Sequence, residues 1–227
     1  MPTLFITGTS TEVGKTHIGA MIARSLVASG ESVGVYKPVA SGCRLEGAEL
    51  IADDALALWE AAGEPRSLDE VCPQKFLAAL SPPTAAAQEG KTVDTRLLRT
   101  GIEIWRQNYD RVLVEGAGGL MSPLSDSDFN ADMARDLGAA LLIVAANRLG
   151  VINDTLQTVI TAKARTPECP LVGVVLNQVE PRTDDASLAT NAVELSRRLR
   201  EFEVPLLASA GFGEESIPGV VDWRSVF

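Results

Sequence analysis

A doubly wound α/β domain, with a mainly parallel sheet covered by helices on both faces, is what this sequence predicts, and three observations predict it. Apolar, β-rich runs alternate with segments of helical periodicity along most of the 227 residues. Several of those runs are apolar at consecutive positions, the pattern of strands buried on both faces of a parallel sheet. The first run passes through a glycine-bearing turn, Gly8 to Gly14, directly into a helical segment.

Taken in order, the strands fall at 3–7, 32–36, 111–114, 140–145, 171–176 and 206–208. Helical patterns fall at 15–28, 50–62, 95–107, 131–137, 152–164 and 185–202, and strand followed by helix is the repeat of a doubly wound sheet. The stretch 63–90 is less regular. Its Pro65, Pro73, Pro82 and Pro83 predict a long excursion over the sheet edge. The segment from Phe212 onward, with its Gly and Pro, reads as a tail or a lid. No repeat, linker or low-complexity tract divides the chain, so a single domain over 1–227 is expected.

Composition narrows the function classes. Hydrophobic residues make up 46% and charged residues 22%, an ordinary globular balance, while the formal net charge of -10 repels phosphate backbones and anionic lipid. Neither nucleic acid nor membrane is therefore an expected partner. A local basic pocket for one nucleotide stays open. Cys43, Cys72 and Cys169 are scattered and His17 is the only histidine, so a zinc site is not expected and three reduced thiols in a cytoplasmic protein are. The start of the chain lacks a charged region followed by a long apolar run, and the longest apolar stretch, 139–146, is too short to span a bilayer.

The strongest motif is Gly8-Thr9-Ser10-Thr11-Glu12-Val13-Gly14-Lys15-Thr16, placed between a strand and a helix as a phosphate-binding loop requires. Glycines let the backbone turn tightly and aim its N–H groups at phosphate oxygens, and the helix beginning at Lys15 adds its positive end there. Lys15 suits the outer phosphates and the Thr16 hydroxyl a magnesium ion. Five residues, rather than the usual four, separate Gly8 from Gly14. The departure says that this P-loop domain is not a generic P-loop ATPase.

Carboxylates for that magnesium are sought at the same sheet edge. Glu115 ends the run Arg-Val-Leu-Val-Glu and precedes Gly116-Ala117-Gly118-Gly119, so it reads as the C-terminal end of a strand, where ligands gather in parallel α/β sheets. Asp53 and Asp54 precede Ala-Leu-Ala-Leu, and helix capping competes there with metal binding. Lys37, in Lys37-Pro38-Val39-Ala40-Ser41-Gly42, follows the second strand. It should emerge beside Lys15 and form with it a compact site for several negative charges.

Together these segments resemble the dethiobiotin synthetase family. The resemblance rests on Gly8 to Thr16, Lys37 to Gly42, Asp54 with Ala-Leu-Ala-Leu, Ala87-Gln88-Glu89-Gly90, Val112 to Gly119, Pro123-Leu124-Ser125-Asp126, Leu149 to Asn153, and Asn177, all in the family's order. It implies a P-loop α/β fold and a homodimer that uses ATP and magnesium. The implied reaction begins with 7,8-diaminopelargonic acid and carbon dioxide, taken as such or as bicarbonate, which form a carbamate. ATP phosphorylates the carbamate, and the second amine closes a cyclic urea.

Carried over by position, the resemblance assigns Thr16, Asp54 and Glu115 to magnesium and makes Lys15 and Lys37 the catalytic cations. Glu12, Val13, Gly14, Lys15, Thr16, His17, Asp54, Glu115, Gly116 and Asn177 go to ATP, with Asn177 reading the adenine. Glu12 is left between an amine contact and the orientation of its neighbours. Thr11 and Ser41 surround the diamine and carbamate. Gly150, Val151, Ile152 and Asn153, at a helix start, receive the substrate's far carboxylate across the dimer, where a helix N-terminus suits an anion. Two departures stand out: Ser10 replaces the family's common Asp, and the chain after Leu207 matches poorly. Lys37→Ala is expected to leave folding intact and to cut turnover by ~10²-fold or more.

Two rivals share the fold class. An amidotransferase of the cobyrinic-acid type needs a glutaminase domain with catalytic Cys and His, whereas here only His17 exists. A partition or septum-positioning ATPase carries a second lysine early in the loop, where this chain has Ser10 and Thr11.

Overall fold

The structure is a computed structural model and describes residues 2–181, 184–217 and 221–227. In chain order the strands are β1 (Thr3–Gly8), β2 (Val33–Tyr36), β3 (Arg44–Glu46), β4 (Glu49–Ile51), β5 (Arg111–Gly119), β6 (Ala140–Ala146), β7 (Leu171–Asn177) and β8 (Leu206–Ala210). The helices are α1 (Lys15–Ala28), α2 (Asp53–Ala61), α3 (Leu68–Val71), α4 (Pro82–Gln88), α5 (Thr95–Thr100), α6 (Glu103–Asn108), α7 (Asn130–Asp136), α8 (Val151–Arg165), α9 (Leu188–Leu199) and α10 (Trp223–Val226).

Six strands form one sheet in the order β2-β5-β1-β6-β7-β8, and each adjacent pair is parallel. The consecutive apolar positions have the expected cause. In β6, Leu142 and Val144 enter the larger core cluster, while the alternate residues Ile143 and Ala145 enter a second one. That second cluster is closed by Val151 and Val159 of α8 and Leu195 and Leu199 of α9. Both faces of the strand are thus buried by side chains pointing opposite ways. The central position of β1 puts the loop after it at the middle of the sheet's C-terminal edge, with the ends of β2, β5 and β7 around it.

Several boundaries differ from the sequence reading. The helix read at 50–62 begins at Asp53, because Leu50 and Ile51 pair with Leu45 and Arg44 in the β3–β4 hairpin. The helix read at 95–107 divides into α5 and α6. Tyr36 Oη donates to the carbonyls of Leu97 and Leu98 at 2.8 and 3.2 Å, and a Cβ at Gly101 would lie 2.3 Å from that hydroxyl. The helix read at 185–202 is α9 followed by a 3₁₀ turn at Arg200–Phe202. Strand β5, read at 111–114 with Glu115 at its end, runs on through Gly119, so Glu115 lies inside the strand. The glycines after it serve close approach: a Cβ at Gly119 would sit 3.2 and 3.3 Å from the Gly8 and Thr9 carbonyl oxygens.

The excursion 63–90 holds the short helices α3 and α4, and its middle runs parallel to the segment after β2. Ala40 N–H donates to Gln74 O, Phe76 N–H to Ala40 O and Gly42 N–H to Ala78 O. After Phe212 the chain returns to the core in α10, where Trp223 is buried; residues 218–220 of this segment lie outside the described residues. Among the described residues no helix is long and apolar enough to cross a membrane.

Candidate active site

A cavity of about 1020 Å³ opens at the C-terminal edge of the sheet. Its floor is the loop between β1 and α1. Thr9 N–H donates to Val144 O of β6 at 3.0 Å, which pins the loop to the neighbouring strand. Glu12 and Gly14 both take positive φ, 57° and 84°, so the backbone reverses twice before α1 begins. Gly14 is irreplaceable on two counts. Its φ is left-handed, and a Cβ there would lie 2.0 Å from Asn177 Nδ2.

Lys15 is the first residue of α1, buried, and lines the cavity. Among the described residues its ammonium has no hydrogen-bond or ion-pair partner. Burial lowers its pKa from the ordinary lysine value; Glu115 opposes that and Lys37 adds to it. A buried cation without a partner, facing a cavity at a helix N-terminus, suits an anion.

Lys37 follows β2 and points to the same place. Its Nζ donates to Glu115 Oε1 at 2.5 Å and to Asp54 Oδ2 at 2.8 Å, while Thr16 Oγ1 donates to the same Glu115 oxygen at 3.0 Å. The Lys37 and Glu115 side chains are buried, whereas Asp54 keeps about half of its side chain accessible at the cavity wall (54%). Burial disfavours the Lys37 ammonium, but Glu115 and Asp54 outweigh it and hold the pKa above the lysine range. The Lys37 charge holds the Asp54 carboxyl below its ordinary value. Burial pushes Glu115 up, yet the ammonium at 2.5 Å makes the carboxylate the form this geometry holds.

Three oxygen-bearing side chains, Thr16, Asp54 and Glu115, therefore meet from α1, α2 and β5. Glu115 Oε2 is buried with no hydrogen-bond partner. Among the described residues no three His, Cys, Asp or Glu side chains group as a metal cluster. Two carboxylates and a hydroxyl nevertheless fit magnesium, a hard cation that keeps waters and phosphate oxygens in its shell. The orphaned Glu115 oxygen is a further sign of a missing partner.

Asn177, at the end of β7, lines the other side of the cavity. Its Nδ2 donates to Val13 O at 3.0 Å and its buried Oδ1 has no partner. The side chain thus locks the loop while leaving one acceptor for a ligand. Asn177→Ala should raise the KM for ATP about tenfold with a smaller change in kcat, by steady-state titration of nucleotide at saturating second substrate.

Of the residues read from sequence, Thr11, Glu12, Gly14, Lys15, Thr16, His17, Lys37, Ser41, Asp54 and Asn177 line this one cavity. Val13 lies beneath it, buried, with its carbonyl held by Asn177, and Glu115 lies behind Thr16 and Lys37. Gly116 is packed away from the cavity: a Cβ there would lie 2.2 Å from Asn130 Oδ1. Gly150, Val151, Ile152 and Asn153 do not line it either; Gly150 and Asn153 are exposed at the start of α8, and Val151 is buried in the second core.

Other walls were not legible as site residues. Ala79 to Pro82 line the cavity because Ser41 Oγ donates to Leu80 O at 2.6 Å and Gly42 N–H to Ala78 O. Gly118 and Ser122 line it because Asn130 Nδ2 donates to the Ala117, Gly119 and Ser122 carbonyls. Phe212 and Gly213 close it from the segment read as tail or lid. Only Pro82 and the Gly-Ala-Gly-Gly run carried any local signal of a turn or close approach.

A family model described as an AAA domain matches residues 2–209. Among curated proteins, the ATP-dependent dethiobiotin synthetase BioD of Rhodopirellula baltica is 45% identical over 216 residues, covering 90% of this chain and 82% of that protein. The protein of the same name from Anaeromyxobacter dehalogenans is 38% identical over 204 residues, covering 90% and 88%. Among solved structures, the septum site-determining protein MinD complexed with Mg-ADP, from Pyrococcus horikoshii, superposes with a TM-score of 0.55 at 18% identity, over 92% of this chain and 80% of that one. The signal recognition particle receptor FtsY of Elizabethkingia anophelis in complex with GDP gives 0.57 at 15%, over 99% and 62%. At those identities the two structures speak for the fold alone.

Proposed function

The chain belongs to the ATP-dependent dethiobiotin synthetase family, and from that premise we propose that it converts 7,8-diaminopelargonic acid, carbon dioxide and ATP into dethiobiotin, ADP and phosphate. One observation supports this most: two buried lysines, Thr16 and Asp54 share a single cavity with Asn177, and Glu115 backs it through its bonds to Thr16 and Lys37. A single P-loop domain over 1–227 carries the reaction.

The chemistry sets what the residues must do. One amine takes up carbon dioxide to give a carbamate. A carbamate oxygen attacks the γ-phosphorus of ATP, the bond to ADP breaks, and a carbamic–phosphoric anhydride results. The second amine then attacks the carbamate carbon, phosphate leaves, and the cyclic urea closes. The carbamate and the γ-phosphate are both anions, and forcing them together in a partly desolvated site costs several kcal/mol. Lys15 and Lys37 offset that repulsion and hold the charge that develops on the equatorial oxygens. Thr16, Asp54 and Glu115 would hold Mg2+, which supplies further charge neutralisation on the phosphates when bound. Thr11 and Ser41 orient the amines; Ser41 Oγ already spends its proton on Leu80 O, so its lone pairs are what it offers an ammonium or amine. Asn177 Oδ1 accepts from the exocyclic amine of adenine.

The working form we infer is a homodimer in the cytoplasm. What supports a second subunit is that the Gly150 to Asn153 helix start lies off this chain's own cavity, beside a Leu149 that is 82% exposed. Offered to a partner's cavity, that helix start would receive the substrate's far carboxylate.

The deciding experiment incubates the purified protein with diaminopelargonic acid, bicarbonate, magnesium and ATP and looks for a cyclic urea by mass spectrometry. A product heavier than the diamine by one carbonyl bridge, formed with stoichiometric ADP, is expected. Diamine-independent ATP hydrolysis with no urea would reject the proposal.

A further inference from the structure

Lys37 occupies one oxygen of each of the two carboxylates that would hold the metal. Its Nζ contacts Asp54 Oδ2 at 2.8 Å and Glu115 Oε1 at 2.5 Å, and Thr16 Oγ1 donates to that same Glu115 oxygen. A magnesium ion takes its ligand oxygens at about 2.0–2.1 Å. An ion bridging Asp54 Oδ2 and Glu115 Oε1, the position the Lys37 ammonium holds, would meet it with like charges and no water between them. The two cations compete for that bridge.

We propose that Lys37 is the resident counter-ion of the metal-binding carboxylates and exchanges with a divalent cation for the same oxygens, so that its ammonium is released into the cavity when the metal arrives. The proposal rests on the preceding reading of Thr16, Asp54 and Glu115 as the metal's ligands.

The mechanics of the site identify the moving part. Glu115 is 1% exposed and fixed in β5, with β1 and β2 on either side, so it cannot follow an incoming ion outward. Asp54 is in the first turn of α2. Lys37 is held at its backbone, where its N–H donates to Val71 O at 2.8 Å, but its ammonium ends a flexible four-carbon stem and its side chain borders the cavity. Charge counting gives the consequence. Two carboxylates and one ammonium leave the resting cluster with one uncompensated negative charge. A dication balances the carboxylates by itself and frees the lysine's charge for the anions beside Lys15. Lys37 therefore becomes available to phosphate or carbamate only in enzyme that already holds metal, which couples metal loading to assembly of the anion site.

The test uses the whole, nucleotide-free protein. Lys37 is labelled with limiting acetic anhydride, with and without magnesium chloride and at equal ionic strength, and acetylation at Lys37 and at Lys15 is quantified by mass spectrometry. Magnesium should raise Lys37 labelling several-fold and leave Lys15 labelling level or lower. In parallel, Mn2+ is titrated by electron paramagnetic resonance into the wild type and Lys37→Met. The variant should bind the ion at least about tenfold more tightly, since the competing cation is gone. Unchanged or reduced Lys37 labelling overturns the proposal, as does a folded Lys37→Met that binds Mn2+ no better than wild type. If that variant does not fold, the labelling of the wild type decides alone. A protein that makes cyclic urea yet shows neither effect loses only the exchange, and one that shows both effects without making urea loses only the assigned reaction.

Discussion

Lys37→Ala lowers turnover by ~10²-fold or more, because it removes one of the two cations that hold the carbamate and the transferring phosphoryl group together. The structure adds a second cost that the sequence does not disclose. Lys37 is 2% exposed and is the counter-ion of a fully buried Glu115. Removing one partner of such a pair leaves the other charge uncompensated, a loss of about 3 kcal/mol. The expectation that folding stays intact therefore gives way to a folded but weakened protein. Urea unfolding in chelator should detect the lower stability, and single-turnover phosphate release at saturating ATP should detect the lost chemistry. Wild-type single-turnover rates in a variant of normal stability would remove Lys37 from both roles.

Gly14→Ala lowers kcat/KM for ATP by at least ~10²-fold. Two effects combine. The residue stands at φ 84°, where an L-side chain costs about 1–2 kcal/mol, and its new methyl group would meet Asn177 Nδ2 at 2.0 Å. Asn177 cannot yield freely, because the same nitrogen holds Val13 O at the centre of the phosphate loop. One methyl group thus disturbs the phosphate cradle and the proposed base-reading acceptor together. Isothermal titration with ADP separates this from unfolding: affinity should fall sharply while the circular dichroism spectrum stays native. Unchanged ADP affinity would mean that the Gly14–Asn177 contact has no part in nucleotide binding.

Much of this was written locally. Helix α1 begins and ends where its periodicity says, Lys15 to Ala28, since a glycine start and an apolar stripe are properties of neighbouring residues. The six sheet strands lie within a few residues of their apolar runs for the same reason. The hairpin Arg44–Glu46 with Glu49–Ile51 was hidden because three-residue, largely exposed strands carry no apolar pattern.

What the sequence alone determined is the inventory: a parallel sheet, a phosphate loop, two lysines after the first two strands, and carboxylates within reach of one edge. Only the tertiary structure decided the connections. Parallel pairing of β5 with β1 and β2 brings Glu115 to Lys37 across 78 positions, and backbone bonds from the segment after β2 carry Ala79 to Pro82 into the cavity wall. Distance along a chain says nothing about distance in space, so charges that look like separate loop residues become one buried cluster when the strands close around them.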